Sequence, residues 1–579
     1  MTDYQNLENA YLTLLKSDPN TCIELGVEEK LGELPDPSME ACLAEQKAAE
    51  ALLAQANALY PTLTDFHQQL DTELIALAAR QIVLGNALAL NGRPQLTQLP
   101  DAGDTISIGI FFLVTIDPRE PAARLDNILS RLQQVPDFLQ KLLARLDTPV
   151  ARWVDIDCET IDGLPEFFAS IRSWAEVEDY ASLPQLQDAI AAAEEALQQY
   201  QQQLRAMPTT TQIHIGREAA ESIVAANGVE LSLDEIHGIA RDFVARTRAE
   251  IEALRQKLVA KYGLAADTSA ADLQQHLAQA HAVKVTDDDF QQVITRYESV
   301  AGELETFVRE RDLFPLPDGQ AMKIMQTPGF MAPMIPAGAM MPPPALRGGT
   351  RTSIVYLTLS RELLAEHTEL GIPLMMVHEG IPGHHLQLST AAMHPSIVRR
   401  TFSANEHAEG WTTMLEDYML DQGLMGELTD EARFVTKLDL SRIGARVAID
   451  LFFMTGERDY LDIGYDVTFD GDDPFEDAAR LLIAATGFTP GRAQSELNWY
   501  SQERGYPLSY LVGNRLVWDL KRDFQRATAD TLSAPEQDRE FHRIYLQSGN
   551  MPVAKLRSVF AHKLGKPLQQ ANVNTTATP

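Results

Sequence analysis

A chain of 579 residues that is 45% hydrophobic has material for a large core, in several domains or one large helical unit. Its formal net charge of −34 argues against nucleic acid, which needs a basic surface that releases counterions, and against anionic membranes. Cys22, Cys42 and Cys158 are too few and scattered for a disulfide framework; with a polar start at residues 1–5 and no apolar run that spans a bilayer, they predict a soluble cytoplasmic protein.

The first half is helical in pattern. Leu186, Ile190, Ala193, Leu197, Tyr200 and Leu204 recur at steps of three and four and mark one packed stripe. Ser232-Leu233-Asp234-Glu235 has the form of a capping box, followed by a stripe of Phe243, Thr247, Ile251, Leu254 and Leu258. Residues 1–312 therefore read as an N-terminal helical region. From 313 to 350 the composition turns to Pro, Gly and Met, including Met331, Met334, Met340 and Met341, which marks a boundary and a candidate loop over a cleft. The β-branched run Thr352 to Thr358 predicts a short strand, and helical segments follow to residue 568. The polar tail, 569–579, is expected to be disordered. The expected fold is mainly α, with a small antiparallel β element beside the helix described next.

Residues 377–387 read Val-His-Glu-Gly-Ile-Pro-Gly-His-His-Leu-Gln. In a His-Glu-x-x-His helix two imidazoles one turn apart hold zinc, and the glutamate takes a proton from water. Here the fourth position after His378 is Pro382, so the plain spacing fails. A regular helix would return His385 to the face of His378. A local bulge at Pro382-Gly383 would bring His384 there instead. Spacing alone leaves both open.

A third ligand is best supplied by residues 405–418, which read as a second helix. Glu409 and Glu416 are seven apart and share a face, so Glu409 can ligate while Glu416 orients a ligand histidine. Glu406 and His407 compete for the first role. Residues 351–568 are then the metal-binding region.

The chain resembles the bacterial DUF885 proteins, zincin-like metallopeptidases related in active-site logic to the gluzincins. Their His-Glu-x-x-Pro-Gly-His segment is matched by His378 to Gln387, and their Glu-Gly-Trp element by Glu409-Gly410-Trp411. The resemblance implies His378, His384 and Glu409 as ligands of one zinc ion per chain, Glu379 as general base, and Glu416 in support, with the role of His385 open. It also matches Arg351, a candidate to hold a substrate carboxylate, at the start of a strand that in zincins pairs with extended substrate. Its Tyr-x-x-Gly element is matched by Tyr510 to Gly513, which implies Tyr510 as oxyanion donor; Tyr356 and Arg515, in the same two segments, are further candidates to touch substrate. Two departures stand out: Met454 where the family often has histidine, and Trp499-Tyr500 where many members have Arg-Tyr. The expected activity is zinc-dependent hydrolysis of short peptides. The rivals are a hydrolase of a non-peptide amide and a catalytically silent helical binding protein. Oligomeric state does not follow from the sequence.

Overall fold

Several helices begin at a cap that the sequence supplies. Ser232 Oγ accepts from Glu235 N while the Glu235 carboxylate accepts from Ser232 N, opening the helix Leu233–Tyr262, which closes at the left-handed Gly263. The stripe read from Leu186 to Leu204 is the buried face of Leu183–Arg205. The computed structural model describes residues 2–286, 289–327, 335, 338–361 and 364–569. Met331, Met334 and the tail beyond Gln569 lie outside them.

Three large apolar cores organise the helices among the described residues. One is shared by Ala102–Thr115, Pro121–Arg145, Ala151–Val177 and Leu183–Arg205. A second joins Leu233–Tyr262 to C-terminal helices through Val244, Ile443, Phe453 and Leu497. The third runs from Leu7 and Leu74 through Trp411 and Phe524 to Leu568, so the divisions drawn at 312 and 350 do not separate cores.

The sheet differs from the expected antiparallel element. Strands β1 (Gln320–Gln326), β2 (Gly338–Met341) and β3 (Arg351–Leu357) lie in the order β1-β3-β2. β3 pairs with β1 in parallel, Gln320 opposite Arg351, and with β2 antiparallel, Gly338 opposite Leu357. The sheet is mixed because the chain leaves β1, returns through β2 in the reverse direction, and enters β3 between them. Among the described residues β3 therefore has no free edge, while no strand pairs with the outer edge of β2.

Six of the helices that follow carry the candidate site: α1 (Gly371–Glu379), α2 (His384–Ala391), α3 (Asn405–Asp421), α4 (Thr429–Thr455), α5 (Pro490–Gln502) and α6 (Ser509–Thr528). No described helix is long and apolar enough to cross a membrane.

Candidate metal centre

α1 stops at Glu379 and α2 starts at His384, so the Pro-Gly insertion makes a break between two helices rather than a bulge within one. Pro382 has no amide to offer the carbonyl of His378. Gly383 is pressed against that carbonyl: a Cβ there would lie 1.9 Å from His378 O. The buried indole of Trp411, on α3, donates to Pro382 O at 3.0 Å and holds the break in place.

The break turns the second histidine inward. His378 Nε2 and His384 Nε2 lie 3.6 and 3.4 Å from Glu409 Oε2, and these ligand atoms all fall within 4.8 Å of one another. Glu409 Oε1 accepts from Tyr506 Oη at 2.9 Å, whereas the buried Oε2 has no hydrogen-bond partner. A buried carboxylate oxygen left without a donor is costly, and a cation between it and two imidazole lone pairs removes that cost. The three residues thus fit a divalent metal. His378 Nδ1 lies 2.8 Å from Glu416 Oε1, the carboxylate–imidazole contact that fixes which ring nitrogen faces inward.

The electrostatics follow from burial and proximity. Burial disfavours charge on His378, but Glu409 and Glu416 outweigh it and hold the imidazole well above its usual range. Burial would raise Glu409, yet the imidazoles of His384 and His378 keep its carboxyl well below the usual carboxylate range. Glu379 is pushed up by burial, partly offset by His378 and His384. Glu416 is raised by burial despite His378.

The other candidates divide. His385 turns to the sheet, with Nδ1 2.8 Å from Ser353 Oγ, and burial depresses it to about 4. Glu406 and His407 also face away: Glu406 Oε1 accepts from Val553 N at 2.9 Å, and His407 Nδ1 lies 3.3 Å from Gln387 Nε2. Arg351 heads β3, six residues and roughly 20 Å along the strand from Leu357, and does not line the cleft beside the triad. The Tyr356 ring packs on Phe111 at 5.8 Å and does not line that cleft. Arg515 is bound to Asp519 at 2.8 Å on its own helix and is likewise outside it. These three are not brought to the triad. Tyr510 is: it lines the cleft and stacks on Tyr506, with ring centroids 5.9 Å apart.

The cleft has a volume of about 1370 Å³ and is bordered by His378, Glu379, Gly338, Ala339 and Trp499 among others. The contact of Tyr506 with Glu409 spans ninety-seven residues of sequence and carries no local signal. The nearest clue was Gly513, whose absence of a side chain lets α6 approach α3.

The model of a family described as "Bacterial protein of unknown function (DUF885)" matches residues 19–559. The chain belongs to the DUF885 family. Two solved structures share the fold of this DUF885 protein. One is described as "a putative lipoprotein of unknown function" from Shewanella oneidensis, with TM-score 0.75, 18% identity, and coverage of 96% of this chain and 100% of that one. The other is a "putative lipoprotein" from Colwellia psychrerythraea, with TM-score 0.75, 16% identity, and coverage of 98% and 100%. An M32 carboxypeptidase from Deinococcus radiodurans R1 aligns at TM-score 0.41 and 10% identity over 98% of this chain and 96% of that one, too slight a likeness to bear on fold or function. Among curated proteins none matches.

Proposed function

We propose that this DUF885 protein is a zinc-dependent peptidase acting on short peptides. The observation that carries the reading is the convergence of His378 Nε2, His384 Nε2 and Glu409 Oε2, with Glu379 next to His378 on the wall of a large cleft. Two nitrogens and one carboxylate oxygen form the donor set of zinc hydrolases that keep a further position open. Bound there, zinc would supply Lewis acidity, acidifying a water and polarising a carbonyl.

The remaining chemistry belongs to the chain. Glu379 takes the proton of the attacking water and passes it to the leaving amine, a task suited to a carboxyl raised by burial. Tyr510, on the cleft wall beside Tyr506, donates to the oxygen that gains charge. Glu416 fixes the His378 tautomer, and Tyr506 orients Glu409. Extended substrate pairs with the outer edge of β2, whose Gly338 and Ala339 border the cleft, in place of the central strand β3. The cleft exceeds the roughly 300–1,000 Å³ of small-ligand sites, in keeping with a peptide.

Glu379→Gln tests the assignment. It removes the base and none of the proposed ligands, so zinc content should persist while turnover of the best peptide in a panel falls about 10²–10⁴-fold. Unchanged turnover would sink the reading.

A further inference from the structure

Among the described residues lining the cleft there is no lysine, and the arginines are Arg442, Arg446 and Arg492, against many carboxylates that include Asp101, Asp104 and Glu503. Arg492 is taken up by Glu366, with both carboxylate oxygens within 3.1 Å. Arg442 and Arg446 sit one helical turn apart on α4 and share a single buried counter-charge: Glu496 is 2.9 Å from Arg446 Nη2 and 3.9 Å from Arg442 Nη1. The second carboxylate near Arg442 is Asp439, 3.3 Å away and 54% exposed, where solvent screens it.

Arg446 is only 6% exposed. Its Nε donates to Tyr500 Oη at 2.8 Å and its Nη2 to Glu496, but its buried Nη1 has no partner among the described residues. A desolvated N–H without an acceptor carries a penalty, which a ligand oxygen accepting from it would relieve. The same guanidinium lies 4.4 Å from the Tyr510 ring centroid. Glu409, Tyr506, Tyr510 and Arg446 therefore follow one another along a single wall, from the metal centre to the free donor.

We propose that Arg446, supported by Arg442, binds a carboxylate of the substrate, most directly the α-carboxylate at a peptide's C-terminus. This rests on the peptidase reading for its substrate class. The planar fork supplies the free N–H that a carboxylate accepts, and the acidic lining elsewhere turns carboxylates away from the rest of the cleft.

Binding, not turnover, tests it. Full-length Glu379→Gln protein, loaded with zinc, is titrated calorimetrically with acetyl-Ala-Phe, its C-terminal amide, and acetyl-Ala-Glu amide. The free acid should bind about 10–100-fold tighter than the Phe amide, the range of a charge-assisted hydrogen bond. Tight binding of the Glu amide alone would assign the site to an acidic side chain. Adding Arg446→Lys keeps a cation beside Glu496 but removes the fork, and should abolish the preference. Arg442→Gln, on a less buried residue, should weaken the preference and serves where Arg446→Lys does not fold. Equal affinity for all three peptides, no binding of any, or a preference that survives both substitutions would overturn the proposal. The wild type separates the two readings: hydrolysis indifferent to acid or amide leaves the peptidase and removes the clamp, whereas acid-selective binding without hydrolysis does the reverse.

Discussion

Gly410 and Gly513 meet where α3 crosses α6: a Cβ on Gly410 would lie 2.3 Å from Gly513 C, and one on Gly513 would lie 2.0 Å from Glu406 O. The helix bearing Glu409 is thereby held against the helix bearing Tyr510, backbone to backbone. The geometry of the metal centre depends on that separation, since Tyr506, just before α6, reaches Glu409 Oε1.

Gly513→Ala forces the two backbones apart. It should destabilise the fold by about 1–3 kcal/mol, as overpacking does. It should also lower metal affinity, because Glu409 moves with α3. Denaturant unfolding and metal titration check both. A variant of normal stability and normal affinity would mean the crossing is slack.

The two neighbouring histidines should respond differently. His384→Ala removes a nitrogen that faces Glu409 and should lose the metal; His385→Ala removes a ring bonded to Ser353 and should keep it. Glu416→Gln should weaken metal binding about 10–100-fold without unfolding the protein, the usual effect of losing a carboxylate behind a ligand imidazole. Metal content after dialysis separates these outcomes. Loss in His385→Ala with retention in His384→Ala would reverse the assignment.

The segments of this site were legible in sequence because they are local: His378, His384, Glu409 and Glu416 fall within two short stretches whose spacing speaks of helices. The break after Glu379 was only partly legible. Pro382 forbids a regular helix, but whether a bulge or a full break results is set by Trp411, which closes on Pro382 O from another helix. Arg351 stands outside the cleft lining because it heads β3, whose other end, at Leu357, pairs with the Gly338 that borders the cleft. The Arg446–Glu496–Tyr500 cluster joins α4 to α5 across at least fifty residues, a pairing that no local spacing shows. Long-range pairing, not composition, decided each of these.

Asp157 gives a pH test away from the metal. It is 4% exposed, accepts from Gly103 N and Tyr200 Oη at 2.7 Å each, and burial outweighs these bonds to raise its carboxyl to about 7. Between the unfolded value near 4 and the folded value, the folded state binds this proton more tightly, so the stability contributed is full below about pH 4 and is lost as pH rises toward 7. Asp157→Asn has no such titration. Its stability relative to wild type should therefore increase from pH 5 to pH 8, by about 3 kcal/mol at most, the two pH units of the window that lie below the folded value. Parallel curves from denaturant unfolding would show that Asp157 ionises normally in the fold.

The central claim is that His378, His384 and Glu409 together hold zinc. Its most direct measurement is the zinc bound per chain, by elemental analysis after equilibrium dialysis, in the wild type and in Glu409→Ala. The account predicts about one tightly held zinc in the wild type, the occupancy of a single three-ligand site, and a large loss in the variant. A wild type that retains no zinc, or a Glu409→Ala protein that retains as much, would contradict it.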